Sequence, residues 1–278
     1  MTELTDWRQM ADGVFGCVAG PDAVNLGLVV GDERVLVVDT GSSPTQGRQL
    51  RQAIGAVTDL PLAAAVVTHW HYDHAFGLAA FADVPTIAHE SVTARLRSRS
   101  AAREADRLGL PEVDLALPSR ELVVAAAIDL GGRRVEIAHL GPGHTDGDLV
   151  VVVSDVDLLF VGDLLESAGP PSFGDDCYPD EWGVTLDGVI GLMTATTQAV
   201  PGHGAPVDRL FAFAQRGEVA GVAGEIRRLY EAGVPEPEAV ASGSWPYPAE
   251  RIAPGVARGY RALAAAGVTP RPTTLPLA

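Results

Sequence analysis

Residues 69–74 read His-Trp-His-Tyr-Asp-His, so three of the chain's seven histidines and an aspartate fall within six positions. Imidazole nitrogen and carboxylate oxygen are the ligand atoms that zinc, iron and manganese share, and chance clustering is a poor explanation for so dense a set. The apolar run Ala63–Thr68 just before it is short and β-branched at its end, which predicts a buried strand delivering the cluster at its C-terminal tip. Alternation at such a tip would aim His69 and His71 the same way, with Asp73 and His74 continuing past it towards a second metal.

Two further histidines sit in glycine-rich turns, His144 in Gly141-Pro142-Gly143-His144-Thr145 and His203 in Pro201-Gly202-His203-Gly204. Glycine permits close backbone approach and positive φ, which suits a ligand loop pressed against a metal site. Asp163 ends the apolar strand Phe160-Val161-Gly162, where a buried carboxylate is costly unless paired or metal-bound. The full set of five histidines and two aspartates is enough for two metals sharing a bridging carboxylate and a bridging hydroxide. His89 and His139 fit none of these motifs and read as structural.

Composition narrows the field. The chain has 278 residues, 47% of them hydrophobic, enough for one compact domain spanning residues 1–278. Its formal charge is −16, and all 20 basic residues are arginine. The absence of lysine excludes Schiff-base chemistry and a P-loop, and the acidic balance argues against nucleic acid as a partner. Two distant cysteines, Cys17 and Cys177, offer neither a disulfide framework nor a metal knuckle. No leader-like or membrane-spanning stretch occurs, so the expected setting is the cytoplasm and the expected partner a small-molecule substrate.

Strands are expected at Val14–Val18, Asn25–Val30, Arg34–Val38, Ala63–Thr68, Pro85–Ala88, Leu122–Ala126, Arg134–His139, Leu149–Val153, Leu158–Val161 and Thr197–Val200. Helices are expected at Thr45–Val57, Ala75–Phe81, Ser91–Leu108, Glu181–Thr196, Asp208–Glu231 and Ala257–Ala266. The helix Ser91–Leu108 carries Arg95, Arg97, Arg99, Arg103 and Arg107, which fit a solvated face or a rim that attracts an anionic substrate. The irregular segment Glu166–Trp182, with Phe173, Tyr178 and Trp182, is either a substrate wall or an ordered loop with its aromatics packed inward. The apolar residues of the tail, among them Leu210, Phe211, Phe213, Leu229, Tyr230, Trp245 and Tyr260, could cap the core or mediate a homodimer. Two groups of strands with helices between and after them favour an α/β sandwich of mixed sheets over a βαβ barrel.

The order His69-x-His71-x-Asp73-His74, Gly143-His144-Thr145, Gly162-Asp163 and Gly202-His203-Gly204 resembles the metallo-β-lactamase superfamily over roughly residues 10–205. The resemblance implies a four-layer αβ/βα sandwich with the metals at one edge between the sheets, and a mostly helical extension over 206–278 packed on it. It puts His69, His71 and His144 on the first metal, Asp73, His74 and His203 on the second, and Asp163 between them. Asp39 of Val38-Asp39-Thr40-Gly41 matches a turn beneath the site. An aspartate at position 163 resembles the glyoxalase II and lactonase branch, although the tyrosine that lactonases often carry soon after it is missing.

The function expected is metal-dependent hydrolysis of an ester-like bond in a thioester, lactone, β-lactam or related small molecule. Two divalent ions, zinc first with iron or manganese as alternatives, would generate the hydroxide nucleophile, and Asp73 would orient it and take its proton. The competing expectations are a mononuclear iron enzyme resembling persulfide dioxygenases, and a metal-stabilised binding protein without catalysis.

Overall fold

The computed structural model describes residues 4–110 and 115–270. The single-domain expectation over 1–278 also takes in residues 1–3, 111–114 and 271–278, which lie outside the described residues. Seven strands, β1 (Arg8–Ala11), β2 (Val14–Ala19), β3 (Val24–Val30), β4 (Val35–Val38), β5 (Leu62–Val66), β6 (Thr86–His89) and β7 (Arg120–Leu122), lie in chain order in one sheet. Its first half is antiparallel and its second half, from β4 onward, parallel. The other sheet orders β12 (Gln198–Pro201), β11 (Leu158–Gly162), β10 (Leu149–Val153), β9 (Arg134–His139) and β8 (Ala125–Asp129), with only β11 and β12 parallel.

The two faces of each strand go to different layers, as a period of two requires. Leu36 and Val38 of β4 meet Leu149 and Val151 of β10 and Phe160 of β11 in the core between the sheets. Val35 and Val37 face outward and pack with Leu50 and Ile54 of helix α1 (Pro44–Ile54). Val150, Leu159 and Val161 face the opposite way, against α5 (Pro179–Leu192), α6 (Arg209–Glu231) and α8 (Ala249–Ala265). Helix on sheet, sheet on sheet and sheet on helix make the expected four-layer αβ/βα sandwich. No helix among the described residues is long and apolar enough to cross a membrane.

Several elements differ from the sequence pattern for local reasons. The expected helix Ala75–Phe81 is a short α2 (Tyr72–Ala75) followed by a 3₁₀ turn at Leu78–Phe81. The break falls at Gly77, where a Cβ would come within 1.9 Å of the Thr40 carbonyl oxygen. The expected helix Ser91–Leu108 is two helices, α3 (Glu90–Leu96) and α4 (Arg99–Arg107), because the Ser98 side chain accepts from the Ala101 N–H and so starts a new helix. The expected strand Leu122–Ala126 is cut at Val123 and Val124, which are exposed because the chain crosses there from one sheet to the other. Strand β1 and helix α7 (Glu236–Ser242) were not anticipated, and α8 begins eight residues before its expected start, with Pro254 inside its first turns. In the tail, Leu229 and Tyr260 are buried, whereas Leu210 is 77% exposed and Phe213 46%.

Candidate metal centre

Strand β5 stops at Val66, so His69 and His71 do not alternate along a strand as expected. They lie in the turn that follows, with His71 as the N-cap of α2, and the helix then sets Asp73 and His74 on its first turn. The turn is tied down from both sheets. Thr68 offers its carbonyl to the Leu149 N–H of β10, and His74 offers its carbonyl to the Thr40 N–H. His144 comes from the loop between β9 and β10, Asp163 follows β11, and His203 follows β12. All seven predicted residues therefore meet at one edge between the sheets.

They meet as two groups. His71 Nδ1 stands 3.1 Å from His69 Nε2 and 2.8 Å from His144 Nε2. Asp163 Oδ2 lies 3.9 Å from the first of these partners and 3.4 Å from the second. In the second group His203 Nε2 is 3.2 Å, and His74 Nε2 3.7 Å, from Asp73 Oδ2. Asp163 joins the groups, with Oδ1 3.2 Å from His74 Nε2 and Oδ2 3.7 Å from His203 Nε2.

The outward nitrogens explain why the inward ones are free. His71 Nε2 donates to Asp176 Oδ2, His74 Nδ1 to Asp39 Oδ2, His144 Nδ1 to the Ser172 carbonyl, and His203 Nδ1 to the Asp22 carbonyl, at 2.8–3.2 Å. His69 Nδ1 faces the Thr68 hydroxyl at 3.2 Å, and that hydroxyl donates to Asp39. An imidazole that donates from one nitrogen presents a lone pair at the other, and outer-shell partners of this kind orient metal-binding histidines. Lone pairs facing each other at such distances repel unless a cation lies among them. Four ligands each about 2.0–2.1 Å from a tetrahedral zinc stand about 3.3–3.4 Å apart, close to the spacing in the first group. Among the described residues His74 Nε2 and Asp163 Oδ1 are buried with no hydrogen-bond partner, an unusual cost for polar atoms that a metal would remove. The cluster fits a metal site on donor chemistry, spacing and orphaned atoms together.

Electrostatics divide the five rings: burial would lower them all, but carboxylate neighbours raise His71, His74 and His203 against it, whereas His69 and His144 are lowered. Burial, with the neighbouring histidines adding to it, holds His69 well below its ordinary pKa and His144 at about 4, so both are neutral and ready to coordinate. Burial would also depress His203, but the hydrogen bond to Asp73 and the charge of Asp163 overcome it and lift the ring to about 9. Burial works against ionised Asp163, yet the surrounding histidines keep the carboxyl well below the ordinary range.

Two residues of the site carry no mark in the sequence, and the loop Glu166–Trp182 takes one of its two expected forms. Asp176 accepts from both His71 and Trp70 Nε1, the latter at 2.7 Å, although no motif marks it within the acidic stretch 155–180. Glu166 lies near Asp163 and His203, and burial first, then the charge of Asp163, raises its carboxyl to about 7. The loop Glu166–Trp182 presents Ser172 and Asp176 to the site rather than its aromatics: Phe173 and Trp182 are fully buried and stack at 4.9 Å. His89 and His139 stand apart from the cluster, their rings 4.1 Å from each other.

The model of the family described as the metallo-beta-lactamase superfamily matches residues 19–211. A metallo-beta-lactamase type 2 of Bacillus sp. (strain 170) is 26% identical over 207 residues, covering 73% of this chain and 74% of that protein. The hydroxyacylglutathione hydrolase GloC of Haemophilus influenzae is 32% identical over 150 residues, covering 52% of this chain and 68% of its own. The acyl-coenzyme A thioesterase MBLAC2 of Gallus gallus is 31% identical over 160 residues, covering 51% and 57%. Among solved structures, a metallo-beta-lactamase from Pontibacter korlensis superposes with a TM-score of 0.65 over 78% of this chain and 99% of that one, at 19% identity, and so shares the fold. With the family model matched over most of the chain, through all four motifs that build the cluster, this protein belongs to the metallo-beta-lactamase superfamily.

Proposed function

We propose that this chain is a two-metal hydrolase that cleaves an ester-like bond at an acyl carbon. One observation carries the reading: five histidines turn their inner nitrogens towards one another around a shared carboxylate, each with its outer nitrogen engaged elsewhere. His69, His71 and His144 would hold one ion, Asp73, His74 and His203 the other, with Asp163 between. When bound, divalent ions, zinc first with iron or manganese as alternatives, lower the pKa of water towards neutrality and polarise a carbonyl oxygen. The complete second group favours two ions over the single iron of a persulfide-dioxygenase-like enzyme.

The protein side of the reaction falls to a few groups. Asp73 lines a cavity of about 600 Å³ that opens over the cluster, where its carboxylate can orient a water and accept its proton. Asp39, Asp176 and the carbonyls of Asp22 and Ser172 keep the histidine rings from turning. Tyr72 and Ser172 line the same cavity and limit the approach of a substrate. Relatives named for a β-lactam, a hydroxyacylglutathione and an acyl-coenzyme A substrate support acyl rather than phosphoryl transfer.

A panel of thioester, lactone, β-lactam and phosphodiester substrates, offered to the zinc-loaded protein, tests the reading. Turnover of at least one acyl substrate, abolished by chelation and restored by zinc, is expected. Turnover of the phosphodiester alone, or of none, contradicts it.

A further inference from the structure

Beside the cavity over the cluster lies a second one of about 620 Å³, and the two share His71, Tyr72 and Ser172. Arg103 of α4 and Arg258 and Arg261 of α8 line the second cavity, and Arg251 of α8 lines the first. The α8 arginines recur at steps of seven and three residues, which puts them on one face of the helix. That face lies beyond the residues 19–211 that match the family model.

The charges around this second cavity are unequally committed. Arg95 is ion-paired with Asp146, Glu104 with Arg107, and Asp176 is taken up by His71 and Trp70. Arg103, Arg251, Arg258 and Arg261 form no ion pair with any described residue, although acids outnumber bases 36 to 20 in the chain. Asp175 is the one lining acid of the second cavity not held by an arginine, a histidine or Trp70 among the described residues, and it is exposed. Arg258 is further ordered by the ring of Tyr178, 4.8 Å below its guanidinium carbon. A guanidinium fork is the side chain best suited to bind phosphate, and the volume is that of a ligand much larger than one anionic group.

We propose that this arginine-lined cavity is the subsite for a phosphate-bearing carrier, so that the substrate is a thioester whose leaving group is polyanionic. The proposal rests on the acyl-hydrolase reading above. The carrier's phosphates would sit against Arg103, Arg258 and Arg261, and its thiol end would pass Tyr72 and Ser172 to place the acyl carbon over the cluster. The helix face Asp-poor and arginine-rich at this point thereby gives the C-terminal segment a role in choosing substrate.

The test compares the wild type with the Arg258→Ala/Arg261→Ala double variant, both zinc-loaded. Three thioesters with the same acyl group are used, of coenzyme A, of glutathione and of neutral N-acetylcysteamine, and adenosine 3′,5′-bisphosphate binding is measured by calorimetry. The variant is expected to raise KM for the coenzyme A ester and to weaken bisphosphate binding, each roughly tenfold or more, since charge-assisted hydrogen bonds to Arg are lost. kcat/KM for the neutral ester and the zinc content should stay unchanged. An equal loss on the neutral ester, a loss confined to the glutathione ester, or bisphosphate binding that is absent in the wild type or unaltered in the variant overturns the proposal. If no ester is turned over, the hydrolase reading fails, and the calorimetry still decides whether the subsite exists.

Discussion

Asp39 Oδ2 and His74 Nδ1 lie 2.8 Å apart although the residues are 35 positions apart in the chain. The same carboxylate accepts from the Thr68 N–H and hydroxyl, so one side chain fixes both the entrance to the histidine turn and the ring of its last member. Asp39 does this from a left-handed backbone conformation, φ +62°, which asparagine also tolerates. Asp39→Asn should therefore preserve the fold while weakening metal affinity about 10- to 100-fold, as loss of outer-shell partners does. Competition against a chelating dye reads the affinity, and a value within twofold of the wild type would mean the charge of Asp39 contributes nothing.

Gly202 lies where a side chain has no room. A Cβ there would fall 1.8 Å from Asp163 Oδ1, the atom that faces His74. Gly202→Ala is expected to displace the shared carboxylate and reduce hydrolytic turnover at least about a hundredfold, with loss of one metal per chain. Circular dichroism should remain that of the wild type. Full turnover in the variant would show that Asp163 need not occupy its position.

The core packed between the sheets depends on Phe160. Its ring is 3% exposed and fills the space above Gly27, where a Cβ would come within 2.5 Å of it. Phe160→Ala removes that filling and should cost about 3–5 kcal/mol. A protein of this size would then melt roughly ten degrees lower. A shift of under two degrees would mean that the two sheets repack without it.

Burial pushes the Cys17 thiol from 9.0 up to about 12. Because its folded value is raised, the associated stability is fully present below pH 9 and is lost as pH climbs through about 12. Only the thiolate reacts, so iodoacetamide at pH 8 should leave native Cys17 unmodified and label it at once in guanidinium. Mass spectrometry of the tryptic peptides distinguishes the two; rapid labelling of the native protein would contradict the assigned burial.

What the sequence disclosed and what it hid divide along physical lines. Ligand chemistry was readable because His69, His71, Asp73, His74, His144, Asp163 and His203 sit in motifs whose residue types are rare in such order. The layers were readable because strands such as Val35–Val38 and Leu149–Val153 are apolar on both faces, and only burial between a sheet and helices satisfies that. The expected strand Ala63–Thr68 with His69 and His71 alternating at its tip ends two residues early as β5, and the pair lies in a turn, since alternation and a turn place polar residues similarly over three positions. Asp176 and Glu166 were hidden because their partners are fixed only by tertiary contact: nothing adjacent in sequence distinguishes Asp176 from Asp175, which is exposed. The arginines of α3 and α4 fit a surface stripe or an anion-attracting rim on sequence alone, and the structure divides them: Arg95 and Arg103 line one cavity, but of the two only Arg95 is ion-paired among the described residues.

Elemental analysis of wild type, His71→Ala and Asp163→Ala, each dialysed against zinc and then buffer and assayed for turnover, decides whether this cluster is a two-metal hydrolytic centre. The expected result is two zinc ions per chain and hydrolysis of an acyl substrate in the wild type, with both variants losing metal and activity together. Two ions and full turnover in either variant, or a single iron with oxygen uptake in the wild type, would contradict it.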